Sequence, residues 1–162
     1  MKLRPSRRAV EQNGARQRGV AAIEFALVFS VLFLAVYGVI TFGGVLYVQQ
    51  VISRAAEDGA RAVQFSQTNT ADDALRSNVQ SAIYRSLSLS SITPVAAGTT
   101  PSSKEAWIRS KVPLPSVNIS TGKVVITVSY PYSANPLLPA LPFTGGWLPT
   151  NLSGKATAAK SW

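Results

Sequence analysis

Apolar and polar positions divide the chain into three patterns. Between residues 25 and 53 no side chain is charged and most are apolar on every helical face. At about 1.5 Å per residue, residues 25–48 alone exceed the roughly 30 Å hydrocarbon thickness of a bilayer, which predicts one membrane-spanning helix. The pattern then changes. Val48, Val51, Ile52, Ala55, Gly59, Ala62 and Val63 recur at three- and four-residue steps, so the helix is expected to continue outside the span as an amphipathic stalk ending within residues 64–69. A second stripe, Leu75, Val79, Ala82, Ile83 and Leu87, predicts a helix running to about residue 89 and docking on the stalk. Thr70 followed by Asp73 resembles a capping box at its start, and Asp72 adds favourable charge near the N-terminus.

The rest alternates on a shorter period. Residues 90–103 are rich in Ser, Thr, Pro and Gly and read as a loop, after which residues 106–112 are expected to form a strand. Residues 117–119 and 124–132 cluster β-branched and aromatic side chains around Ser120-Thr121-Gly122-Lys123, the pattern of a hairpin. Several prolines within residues 131–149 predict an extended segment over the sheet, followed by a last strand at residues 152–158. The expected fold class is α+β: a long N-terminal transmembrane helix continuing into a stalk, a second helix and a small antiparallel sheet.

Charge sets the topology. Of 16 basic residues, Lys2, Arg4, Arg7, Arg8, Arg16 and Arg18 precede Gly19 against the single acid Glu11, so the leader holds +5 of the net +9. By the positive-inside rule this cluster stays cytoplasmic and sends everything after Gln49 across the membrane. The resulting division is a basic leader at 1–19, a transmembrane helix at 20–50 and an extracytoplasmic α+β domain at 51–162. A cleaved secretory signal ending at Ala60-Arg61-Ala62 competes with this reading. The apolar run is much longer than the usual ~7 to 15 residues of a signal core, and that site lies about three helical turns beyond it.

The absence of His and Cys removes the usual general base, the thiol nucleophile and the commonest transition-metal ligands, so an enzyme, a metal site and a bound cofactor are not expected. Disulfides are excluded as well. Lys104, Arg109, Lys111 and Lys123 with Trp107 could make a basic, aromatic patch for an anionic polymer. A solvated sheet face explains them better, and no nucleic-acid partner is expected. In the span, Ala22, Ala26 and Ser30 lie four apart, a spacing compatible with close helix contacts but common in spanning helices.

The most informative passage is Arg16-Gln17-Arg18-Gly19-Val20-Ala21-Ala22-Ile23-Glu24-Phe25. A lone acid beside such an apolar run needs a partner, because carboxylates cost on the order of 2.5 to 3.5 kcal/mol at the centre of a membrane helix. Cleavage after Gly19 would create one, an amino terminus at Val20 one helical turn before Glu24. Gly19 at the end of the leader and Glu24-Phe25 at the fifth and sixth positions of the product resemble the type IV prepilin cleavage motif in its Flp-branch form. With Phe42-Gly43 and Asp58-Gly59-Ala60-Arg61-Ala62 further on, residues 16–63 are similar to TadE-type pilus assembly proteins. Tyr132-Ser133-Ala134-Asn135-Pro136 and Leu152-Ser153-Gly154-Lys155 echo the same family more loosely. The chain ends Lys160-Ser161-Trp162, without the acid that family members often carry there.

The resemblance implies a minor pilin or pseudopilin of a bacterial Flp (Tad) pilus system, held in the inner membrane. Gly19 and Val20 would form the peptidase junction, and Glu24 and Phe25 would serve assembly and recognition. The implied partners are a prepilin peptidase, other pilins or pseudopilins, Tad membrane assembly proteins and the lipid bilayer. Two alternatives stay open: an uncleaved single-pass accessory protein of the same machinery, and an envelope adhesin or polymer-binding module.

Overall fold

A computed structural model describes residues 8–66, 71–138, 146 and 148–160, with backbone alone for residues 8–18. Helix α1 (Arg8–Gln64) is followed by α2 (Asp72–Ser88), a single 3-10 turn at Val95–Ala97, α3 (Pro101–Lys111), β1 (Ser116–Ser120), β2 (Lys123–Tyr130) and β3 (Leu152–Ala159). The α+β class read from the sequence is the observed one. The chain divides into two compact units, Met1–Phe42 and Gly43–Trp162.

In the first unit the described chain is α1 alone. Its large apolar side chains lie open, from Val20 at 65% and Ile23 at 71% exposed to Val39 at 74%. A helix apolar on all sides has no face to turn toward water. The helix from Gly19 to Gln64 is long and apolar enough to cross a membrane. Phe25, Phe29, Phe33 and Tyr37 stack in succession along it, with ring centroids 5.9, 6.3 and 6.3 Å apart, the consequence of four-residue spacing on a helix.

The second unit has a conventional core. Of the stripe anticipated for the stalk, Val48, Ile52, Ala55, Gly59 and Val63 are buried and Val51 and Ala62 partly so, and Ala56 is buried beside them. Leu75, Val79, Ile83 and Leu87 are buried on α2, as their spacing required. Gly59 allows the approach: a Cβ there would stand 2.8 Å from Ile83 Cγ1. Opposite them, β2 alternates, burying Val124, Ile126, Val128 and Tyr130, as expected of a strand with one face on a core.

The sheet is antiparallel in the order β1-β2-β3. The hairpin expected around residues 120–123 closes with Ser120 paired to Lys123, and Gly122 takes φ +80°, a conformation natural to glycine. The last strand is also where the sequence put it. Its inward side carries small residues opposite large ones: Gly154 faces Val128, Ala156 faces Ile126 and Ala158 faces Val124. That thinness lets α1 lie against β3. A Cβ on Gly154 would come within 2.9 Å of the Ile52 carbonyl group and Ser53 Cα, and Gln49 Nε2 donates to the Ser153 carbonyl at 2.8 Å.

Two expectations are corrected. Residues 106–111 of the segment expected as a strand belong to α3, which begins in the segment read as loop, and Val112 is its extended C-cap. Thr100 caps it, accepting from the Ser103 N–H at 3.3 Å, and Pro101 follows at the first helical position, where its missing N–H costs nothing. Glu105 and Arg109 then pair one turn apart at 2.6 Å, and Ile108 and Val112 bury the inward side. The second correction concerns α2. Thr70 lies outside the described residues, and the cap position is Ala71, with no side-chain cap bond. Asp72 and Asp73 stand in the first turn, as expected of Asp72, and Asp72 also pairs with Lys160 Nζ at 2.9 Å.

The described part of the proline-rich segment turns rather than simply extending. Tyr132 is buried, and the Asn135 N–H bonds back to the carbonyls of Pro131 and Tyr132. Residues 139–145 and 147 lie outside the described set.

Candidate functional site

The sequence-nominated residues all fall on α1 in the first unit. Gly19 is exposed, and a Cβ there would meet nothing within 4 Å. Val20 and Phe25 are 65% and 71% exposed, and Glu24 is exposed between them. Helical geometry places Val20 and Glu24 one turn apart on the same side, about 6 Å along the axis. That is the spacing required for an amino group at Val20 to meet the carboxylate. Phe25 begins the aromatic ladder. The backbone is helical through the Gly19–Val20 junction, since α1 starts at Arg8.

A second cluster, in the other unit, gives physical content to Asp58-Gly59-Ala60-Arg61. Asp58 Oδ2 accepts a hydrogen bond from Ser86 Oγ of α2 at 2.7 Å, while Oδ1 lies 3.9 Å from Arg61 Nη1. Asp58 thus latches α2 beside the point where Gly59 admits Ile83. Toward the apolar end of α1, the Ser91 N–H, three residues past α2, donates to Tyr47 Oη at 3.3 Å, a second tie to α1. Sequence reasoning counted Gly59 in the stalk stripe but assigned no work to Asp58. Its partner is 28 residues away, with no local signal to connect them.

The competing cleavage site is poorly disposed. Ala60-Arg61-Ala62 lies within continuous helix, Ala60 and Ala62 pack partly against the core and Val63 is fully buried. The proposed basic patch is also rearranged. Lys104, Arg109 and Lys111 belong to α3, not to the sheet, and only Lys123 sits on a strand. Arg109 is engaged by Glu105 and stacks over the Tyr84 ring at 4.4 Å, while Trp107 packs against the core.

Buried tyrosines carry the resolved electrostatic effects. Burial, reinforced by neighbouring Tyr132, pushes the Tyr130 hydroxyl up to about 12. That hydroxyl donates to the Asn135 carbonyl at 3.0 Å. Burial likewise raises Tyr84, opposed by the nearby Arg109 cation. Among the described residues no three His, Cys, Asp or Glu side chains gather as a metal site would require.

The fold defines a class: an α+β domain continuous with a long apolar helix. A family model described as TadE-like protein matches residues 19–61, which is α1 from the proposed junction through Asp58, Gly59 and Arg61. The likeness to TadE-type pilus assembly proteins is thereby shown over that segment. Comparison with curated proteins and with solved structures returned no match.

Proposed function

We propose that the chain is a minor pilin or pseudopilin of a Tad-type pilus system, matured by a prepilin peptidase between Gly19 and Val20. In this reading α1 spans the inner membrane with its basic leader cytoplasmic, and the α+β domain of residues 51–162 is extracytoplasmic. The span holds the subunit until assembly, and the new amino group at Val20 pairs with Glu24 of its own chain or of a neighbour. Phe25 contributes recognition or packing. The observation that carries the proposal is the register of the TadE-like match, which begins at Gly19 and includes Glu24 and Phe25.

N-terminal sequencing of the protein recovered from membranes tests it. A start at Val20, lost in Gly19→Phe because a bulky side chain obstructs the backbone, is the expected result. A start at Met1 in a host carrying the peptidase overturns cleavage and leaves the uncleaved accessory protein. One observation favours that second reading: the junction lies inside helix α1, whose backbone would have to unwind locally to enter a peptidase. Glu24→Gln separates processing from assembly. It should still be cleaved and inserted, yet be crosslinked to pilus partners several-fold less than the wild type, on the order of one lost ion pair.

A further inference from the structure

A groove between α1 and the end of α2 sits at the outer end of the charge-free stretch of α1, and its polar side chains follow a definite charge order along the helix. This inference rests on α1 spanning the membrane. The charge-free stretch, residues 25–53, covers about 43 Å as helix, close to the roughly 40 to 45 Å of a bilayer with its headgroups. Glu24 and Arg54 bound it. On the Arg54 side, Tyr47, Gln50, Arg54, Asp58, Ser86 and Ser90 line a groove of about 590 Å³. Leu89 stands at its lip, 73% exposed, suited to the apolar edge of the layer.

The groove offers both signs of charge in sequence along α1. Tyr47 and Gln50 lie nearest the hydrocarbon and offer neutral hydrogen-bonding groups. Arg54 comes one turn further out and has no ion pair among the described residues. Asp58 follows about 6 Å beyond Arg54, 34% exposed, with Arg61 no nearer than 3.9 Å. Its carboxylate therefore keeps acceptor capacity beyond the bond from Ser86. Glycerol and ester oxygens, phosphate, then ammonium is the outward order of an aminophospholipid headgroup. We propose that this groove binds phosphatidylethanolamine, with Arg54 on the phosphate and Asp58 on the primary ammonium.

A purely anionic lipid would leave Asp58 opposed to the phosphate's charge. Phosphatidylcholine has no N–H to donate to Asp58. The site should therefore rank the three headgroups, and Asp58 should be the residue that ranks them.

The full-length protein, extracted in mild detergent and offered equal amounts of phosphatidylethanolamine, phosphatidylcholine and phosphatidylglycerol, is to be examined by native mass spectrometry. Wild type should retain phosphatidylethanolamine about five-fold over either competitor, the scale of one exposed charge-assisted contact. Arg54→Gln should reduce retention of all three. Asp58→Asn still accepts from Ser86 and should keep total lipid while erasing the preference for phosphatidylethanolamine over phosphatidylcholine. Equal retention by wild type, or an unchanged preference in Asp58→Asn, overturns the site. Displacement by soluble phosphoethanolamine at the lipid's own concentration also overturns it, because the groove would then recognise a free ligand. Alkaline carbonate extraction of the same membranes tests the span independently: protein that stays in the pellet without lipid preference loses only the groove proposal, whereas release into the supernatant removes the spanning reading as well.

Discussion

One helix serves two different surroundings. From Gly19 to Val36 α1 presents Val, Ile, Leu and Phe in every direction, and a Cβ at Gly38 would meet nothing within 4 Å. In the Gly43–Trp162 unit the same helix buries one stripe, and glycine becomes a matter of clearance. Backbone geometry does not change between them. What changes is which side chains have protein neighbours, so mutations of one chemical type should have opposite consequences in the two halves.

The largest effect expected is from Gly154→Ala, because the added Cβ would press at 2.9 Å on the α1 backbone at Ile52 and Ser53. Main-chain atoms inside a helix cannot move aside independently. A loss of about 3 kcal/mol, the upper part of the overpacking range, should appear as a lower thermal midpoint and faster proteolysis of the Gly43–Trp162 unit. Carbonate resistance, which the proposed span would confer, should not change. Loss of both would break the separation between the two halves.

Alkaline pH should also act on the packed unit alone. The raised Tyr130 value means that the unfolded chain ionises first, near 10, while the native hydroxyl keeps its proton up to about 12. Stability held below pH 10 is then lost as pH rises through that window, by on the order of 2 kcal/mol. Tyr84 is shifted in the same direction. Chemical denaturation at stepped pH should show the decline in wild type and a shallower one in Tyr130→Phe. An equal slope in both would remove Tyr130 as its cause.

A paired substitution sharpens the comparison further. Gly59→Ala sets a methyl 2.8 Å from Ile83 Cγ1, and Ile83 must shift against Val79, for a net cost of about 1 kcal/mol. Gly38→Ala meets open space and should favour the helix by roughly 0.5 to 1 kcal/mol, the usual gain of replacing glycine there. Circular dichroism melts of the two variants in detergent should therefore move in opposite directions. Movement in the same direction would mean that the close α1–α2 approach does not govern Gly59.

Smallest is Arg109→Gln, which removes an exposed ion pair with Glu105 and the cation over Tyr84. About 0.5 to 1 kcal/mol is the scale of such contacts, and added salt should screen the ion-pair part of it. A much larger loss would show that α3 depends on this anchor rather than on Ile108 and Val112.

The sequence by itself determined the elements whose signal is local. The uncharged run of residues 25–53, the apolar stripes of α1 and α2, the glycine turn at 120–123 and the alternation of β2 each repeat with the period of the structure they form. Gly19, Val20, Glu24 and Phe25 were nominated by resemblance to a family motif, and the structure places all four along one helix. Helix α3 was missed although its Thr100-Pro101 start was written in the chain, because the Ser- and Pro-rich surroundings outweighed the cap signal. Only tertiary structure decided that Asp58 would find Ser86, that Lys160 would hold Asp72, and that Gly154 would be the point where β3 meets α1. These pairings join residues 28 to 88 positions apart, or depend on the clearance of a single Cβ. Neither leaves a periodic trace, because which side chains meet across the core is set by how the elements pack and not by the order of residues within any one of them.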